Sequence, residues 1–241
     1  MKTFSITDIG MVRKVNQDYV FCYDKPIGQL GNLFLVADGM GGHNAGDYAS
    51  RYCVETVAES VKNGNIRSPI SILEQAIRDG NMAVEQKAES EEELHGMGTT
   101  VVAATILGGE LYIANVGDSR AYLIREGIHQ ITEDHSLVEA MVQSGDIERK
   151  DARSHPNKNV ITRAIGTSAS VQADFFEISL LEGDTLLLCT DGLTNMVEDE
   201  EICRIIKNSS GLEQAGKELI RTANANGGRD NIGLILVQNE K

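Results

Sequence analysis

The sequence predicts an α+β fold of four layers, αββα, with two central antiparallel β-sheets flanked by pairs of helices. Three observations predict it. Short apolar runs are joined by tight turns, above all Thr100 to Leu107 and Glu110 to Val116 across Gly108-Gly109; a two-residue connection is that of a hairpin, hence of antiparallel pairing. Helical patterns arrive in pairs rather than after every strand, which excludes a parallel doubly wound sheet. No Pro/Ser-rich linker or low-complexity tract divides the 241 residues, and 41% of them are hydrophobic, enough for a sizeable core. A single domain spanning residues 1–241 is therefore expected.

Taken in order, β-runs rich in branched and aromatic residues come first: Phe4 to Ile9, Tyr19 to Tyr23 and Leu33 to Ala37. A helix over Asp47 to Val61 places Ala49, Tyr52, Cys53, Thr56, Val57, Ser60 and Val61 on one face, and a second covers Ser71 to Lys87. Both are amphipathic, so each covers one side of a sheet. After the Gly108-Gly109 hairpin, a further hairpin joins Arg120 to Arg125 with Ile128 to Ile131, and a helix spans Leu137 to Ser144. A polar, irregular segment with His155 and Pro156 follows. Strands at Ala173 to Ser179 and Thr185 to Thr190, helices at Glu198 to Lys207 and Leu212 to Ala225, and a strand at Ile232 to Val237 complete the chain. The stretches 63–68, 89–98 and 145–159 read as loops.

A net charge of −14 argues against a nucleic-acid partner, which needs a clustered basic face. No run approaches about eighteen consecutive apolar residues, and the start, Met1-Lys-Thr-Phe-Ser-Ile-Thr-Asp8, lacks an apolar core of signal-peptide length. A cytoplasmic protein without membrane insertion is expected. Cys22, Cys53, Cys189 and Cys203 show no paired spacing and read as reduced thiols.

Four apolar runs meet an aspartate: Asp38, Asp118, Asp191 and, read backwards from the last strand, Asp230. Any one alone is most simply a turn, because Asp-Gly is a common turn dipeptide. Together they suggest a shared carboxylate centre, whose members would repel strongly unless a cation neutralised them. With the Gly39 carbonyl they form a set of hard oxygen donors suited to Mg²⁺ or Mn²⁺ rather than to zinc or copper. Two such ions sharing a carboxylate and a water yield hydroxide near neutral pH. The glycines after Asp38 and Asp191 are expected to let the backbone turn sharply. Arg13 offers paired donors for a phosphoryl group.

Arg13-x-x-Asn16-Gln17-Asp18, Val36-Ala-Asp38-Gly39-Met-Gly-Gly42-His43, Gly98-Thr99-Thr100, Val116-Gly-Asp118-Ser119-Arg120, Thr190-Asp191-Gly192-Leu193 and Asp230-Asn231 resemble the ordered motifs of the PPM, or type 2C, serine/threonine protein phosphatases in their compact bacterial form. The resemblance spans essentially the whole chain. It implies that Asp38 bridges two metals, that Gly39 contributes its carbonyl, and that Asp191 and Asp230 complete the first metal position. Asp118, with Asp191, matches a third metal site. Arg13 would hold the substrate phosphate, while Asp18 and Asn231 would orient metal-bound waters. Residues 145–165 correspond to a flap beside the active site. The implied partners are phosphorylated proteins, including a cognate serine/threonine kinase, and a monomer is expected.

Met40 departs from many eukaryotic members, which carry there a histidine that protonates the leaving alkoxide; a thioether cannot. His43 and a metal-bound water stand as alternative donors. Gln17 departs as well, where a glutamate is common. Two further readings stay open: a phosphoprotein-binding relative without catalysis, and a phosphohydrolase of small metabolites, for which no glycine-rich phosphate cradle is present.

Overall fold

A computed structural model describes residues 1–42 and 45–240. The strands are β1 (Lys2–Asp8), β2 (Asp18–Tyr23), β3 (Leu33–Met40), β4 (Gly98–Thr99), β5 (Val101–Leu107), β6 (Glu110–Val116), β7 (Arg120–Ile124), β8 (Ile128–Gln130), β9 (Asp174–Ser179), β10 (Thr185–Cys189) and β11 (Ile232–Gln238). The helices are α1 (Ala45–Asn63), α2 (Pro69–Ser90), α3 (Leu137–Ser144), α4 (Arg149–Ala152), α5 (Asp191–Thr194), α6 (Asp199–Asn208) and α7 (Leu212–Ala225). One sheet has the order β1-β11-β10-β7-β8, the other β2-β3-β5-β6-β9 with β4 beside β3. All pairs are antiparallel.

Three apolar layers hold this together. One lies between α1, α2 and the second sheet, one between α6, α7 and the first, and one between the sheets. Successive strand side chains point to opposite faces, so each central strand is divided between two layers. Leu33, Leu35 and Ala37 of β3 pack under α1, while Phe34 and Val36 face the other sheet. In β11, Ile232, Leu234 and Leu236 meet α7, while Ile235 and Val237 face inward. Burial on both sides explains why these strands read as continuous apolar runs rather than alternating ones. The expected four-layer arrangement is the observed one.

Several local expectations change. β3 continues through Asp38 to Met40, so Asp38 lies within a strand and not at its end. The 89–98 stretch contains a 3₁₀ turn at Glu92–Leu94, and the irregular segment contains α4. In α1, Ser50 and Val54 are buried whereas Tyr52, Thr56 and Ser60 are only half-buried, because α2 packs along the helix and rotates its covered face. Gly108 and Gly109 adopt the left-handed backbone that a two-residue hairpin turn requires.

Gly39 and Gly192 do not serve as sharp turns; they are where backbones nearly touch. A β-carbon on Gly39 would lie 1.9 Å from the Gly46 carbonyl oxygen, and one on Gly192 would lie 1.8 Å from that of Asn231. Neither obstacle is a flexible side chain, so backbone would have to move. Gly192→Ala is expected to destabilise the fold by about 3 kcal/mol, the upper range for overpacking. Urea unfolding checks this, and a loss below about 1 kcal/mol would show that α5 moves freely against the Asn231 backbone.

Candidate active site

The inward-facing positions of period two run on past the apolar layer at one end of the sandwich. After Val36 comes Asp38; its cross-strand partner in β2 is Asp18. Beyond Val102 on β5, Leu188 on β10 and Ile235 on β11, the same phase reaches Thr100, Thr190 and, past Gly233, Asn231. The layer between the sheets therefore ends in polar groups at this mouth. The Thr190 hydroxyl ties the sheets together by donating to Asp18 Oδ2 at 2.7 Å.

A cleft of about 250 Å³ opens there. Arg13, Asp38, Gly39, Asp118, Asp191, Asp230 and Asn231 all line it. Of the residues selected from sequence, only Asp18 does not, being buried beneath it. His43 lies outside the described residues. His155 is absent from the lining, and His135 has another place: its Nδ1 accepts from the Gly117 amide at 3.1 Å, and Nε2 meets Asp174 Oδ2 at 3.0 Å. His135 thus props the loop that carries Asp118.

Thr100, Asn159 and Ile161 also line the cleft and were not selected from sequence. The Thr100 hydroxyl receives the Asp38 amide at 2.9 Å and meets the Ser119 hydroxyl at 2.8 Å, and its amide donates to the Asp38 carbonyl at 2.9 Å. Asp38 is thereby held by its own peptide groups, leaving its carboxylate for other work. The Gly98-Thr99-Thr100 motif was the available signal. Nothing in the composition of 145–165 distinguishes Asn159 or Ile161.

The N-terminal loop reaches the mouth because Asn231 holds it. The Asn231 side-chain amide donates to the carbonyls of Ile9 at 2.9 Å and Val15 at 3.0 Å, and its oxygen accepts from the Gln17 amide at 2.9 Å. Both amide hydrogens are thus committed to the loop, not to solvent in the cleft. Arg13, carried by this loop, donates to Asp230 Oδ2 at 2.7 Å.

Electrostatics at the mouth is dominated by crowded carboxylates. Burial, then the charges of Asp18, Asp191, Asp118 and Asp230, holds the Asp38 carboxyl well above its ordinary range. Asp18 too is held well above its ordinary range, first by burial. Burial and Asp191 push Asp118 up to about 8, and burial and Asp230 push Asp191 up to about 6. Oδ1 of Asp18 and Oδ1 of Asp191 are buried without a hydrogen-bond donor, an expensive state for a carboxylate.

A divalent cation with its waters answers both the repulsion and the unmet oxygens, so these residues fit such an ion. Among the described residues no three acidic, histidine or cysteine side chains close into a cage by themselves. Magnesium and manganese do not require one, since they keep several waters and accept a backbone carbonyl such as that of Gly39.

Comparison with known proteins points the same way. A family model described as Protein phosphatase 2C matches residues 12–236. Serine/threonine phosphatase stp of Listeria monocytogenes is 41% identical over 239 residues, covering 97% of this chain and 94% of that one. The crystal structure of serine/threonine phosphatase Stp1 from Staphylococcus aureus superposes with a TM-score of 0.93 at 36% identity, covering 100% of this chain and 95% of that one. That of the catalytic domain of serine threonine protein phosphatase PstP, in complex with two manganese ions, gives 0.87 at 32% identity, covering 100% and 98%.

Proposed function

Since this chain belongs to the protein phosphatase 2C family, we propose that its cleft hydrolyses phosphoserine and phosphothreonine on proteins with two bound manganese or magnesium ions. The observation that carries this reading is the meeting of Asp38, Gly39, Asp191, Asp230 and Arg13 in one cleft. The manganese-bound relative supports the choice of ion.

Asp38 would be shared by both ions, Gly39 would offer its carbonyl, and Asp191 and Asp230 would complete the first position. Asp118 with Asp191 would hold a third. When bound, the ions would supply Lewis acidity and a hydroxide near neutral pH for direct attack on phosphorus, without a phosphoenzyme.

The chain's own residues do the rest. Arg13 draws the phosphoryl oxygens in, a paired-donor geometry that a lysine would not reproduce. Asp18, with one oxygen held by Thr190 and the other unmet, would orient a water of a bound ion. Asn231 contributes by fixing the Arg13 loop rather than through a water of its own. The geometry assigns no general acid: Met40 lines the cleft and has no proton to give.

The substrates we infer include the serine/threonine kinase whose action the enzyme reverses in a bacterial signalling system. The same reading has one domain over residues 1–241, a flap over 145–165, a monomer and a cytoplasmic location; among the described residues no helix is long and apolar enough to cross a membrane.

Phosphate release from a phosphothreonine peptide with Mn²⁺, abolished by a chelator, is the expected result. Absence of chelator-sensitive release would overturn the reading. Asn231→Ala is expected to raise KM for the peptide and the inhibition constant of inorganic phosphate together, each by about 10-fold, in the range for residues that position a functional group. A fall in kcat with KM unchanged would place Asn231 in the chemical step instead.

A further inference from the structure

We propose that two apolar lips on the cleft select a phosphopeptide carrying large apolar side chains next to its phosphoresidue, an inference that rests on the phosphatase reading above. Met11 and Val12 are 68% and 64% exposed, the two most exposed large hydrophobic side chains among the described residues. Ile9 and Val15 of the same loop are partly exposed as well. A frayed segment exposes such groups cheaply, but this one is tied down. Asn231 holds the carbonyls of Ile9 and Val15, and the Met11 amide donates to the Gly228 carbonyl at 2.7 Å. The next residue after Val12 is Arg13, which lines the cleft.

Val160 stands between Asn159 and Ile161, the cleft-lining residues contributed by residues 145–165, and is 46% exposed. Its backbone is also fixed, the carbonyl accepting from the Leu137 amide at 2.8 Å and the amide donating to Asn157 at 3.1 Å. The two segments that bring Arg13, Asn159 and Ile161 to the cleft thus also carry exposed apolar side chains, beside Lys14 and Lys158. A phosphoryl group held by Arg13 leaves the substrate's main chain at the mouth, so the residues before and after the phosphoresidue fall on these lips. Apolar flanks cover Met11, Val12 and Val160 from water, a gain that serine or glutamate flanks do not make.

Three phosphothreonine peptides of equal length, with Leu, Ser or Glu on both sides of the phosphoresidue, test this beside p-nitrophenyl phosphate, all with Mn²⁺. The Leu peptide is expected to show kcat/KM about 10-fold above the Ser peptide, the lower end of discrimination by an apolar contact, and above the Glu peptide as well. In the double variant Met11→Ser, Val12→Ser, and separately in Val160→Ser, the ratio of Leu-peptide to p-nitrophenyl phosphate turnover is expected to drop. Equal kcat/KM for Leu and Ser peptides, with chelator-sensitive hydrolysis of all substrates, overturns this inference and leaves the phosphatase reading standing. No chelator-sensitive hydrolysis of any substrate overturns both. Sedimentation that shows a dimer lost in the double variant assigns the lips to a second copy of the chain and also overturns the inference.

Discussion

Asp38→Asn is expected to lower kcat/KM for a phosphothreonine peptide by at least about 10³-fold, some 4 kcal/mol of transition-state stabilisation, while the protein stays folded. The side chains are nearly isosteric, and the peptide of residue 38 keeps its bonds to Thr99 and Thr100. What disappears is the charge that would be shared between two cations. Removing that charge also relieves repulsion on Asp18, Asp191, Asp118 and Asp230, which all raise the Asp38 carboxyl pKa. The metal-free variant is therefore expected to melt higher than the metal-free native chain, and the rise in Tm on adding Mn²⁺ should shrink. Calorimetry with and without chelator reads both effects. Activity within tenfold of the native chain would remove Asp38 from the metal site.

In chelator, stability is expected to fall as pH rises from about 5 to about 8. The sign follows from the folded carboxyls binding protons more tightly than unfolded ones. Asp191 is raised to about 6 and Asp118 to about 8, from an ordinary value near 4. Their contribution is fully present below that ordinary value and is lost as pH climbs through the raised ones. At about 1.4 kcal/mol per pKa unit, the Asp191 rise alone is on the order of 3 kcal/mol. Saturating Mn²⁺ keeps the carboxylates ionised and should flatten or reverse the slope, since metal ligation competes with protons. Urea unfolding across this pH range distinguishes the cases. A metal-free protein that becomes more stable toward pH 8 would mean that the carboxylates at the mouth do not repel.

Much of this was readable because it is local. Glu110–Val116, Leu137–Ser144 and Leu212–Ala225 have the same bounds in the structure as in the sequence pattern, their periodicity being undisturbed by neighbours. α4 and α5 were not readable, since four residues make too short a window for a helical period. Gly39 and Gly192 were visible as glycines, yet their reason is a carbonyl from elsewhere in the chain, which no spacing reveals. Asn231 was selected as a residue of the site, but its partners at Ile9 and Val15 lie across the whole chain.

By itself the sequence determined the donor chemistry, hard oxygens and one guanidinium, and the face each residue takes along its strand. Both follow from residue type and from a side-chain period of two that the backbone imposes. Only the tertiary structure decided which strand ends share a mouth and which carboxylate oxygens are left unmet there. Arg13 and Asp230 lie 217 positions apart, and they meet because sheet order, set by burial on both faces, brings β11 between β1 and β10. That order is the collective choice of the whole core, so no short stretch of sequence contains it.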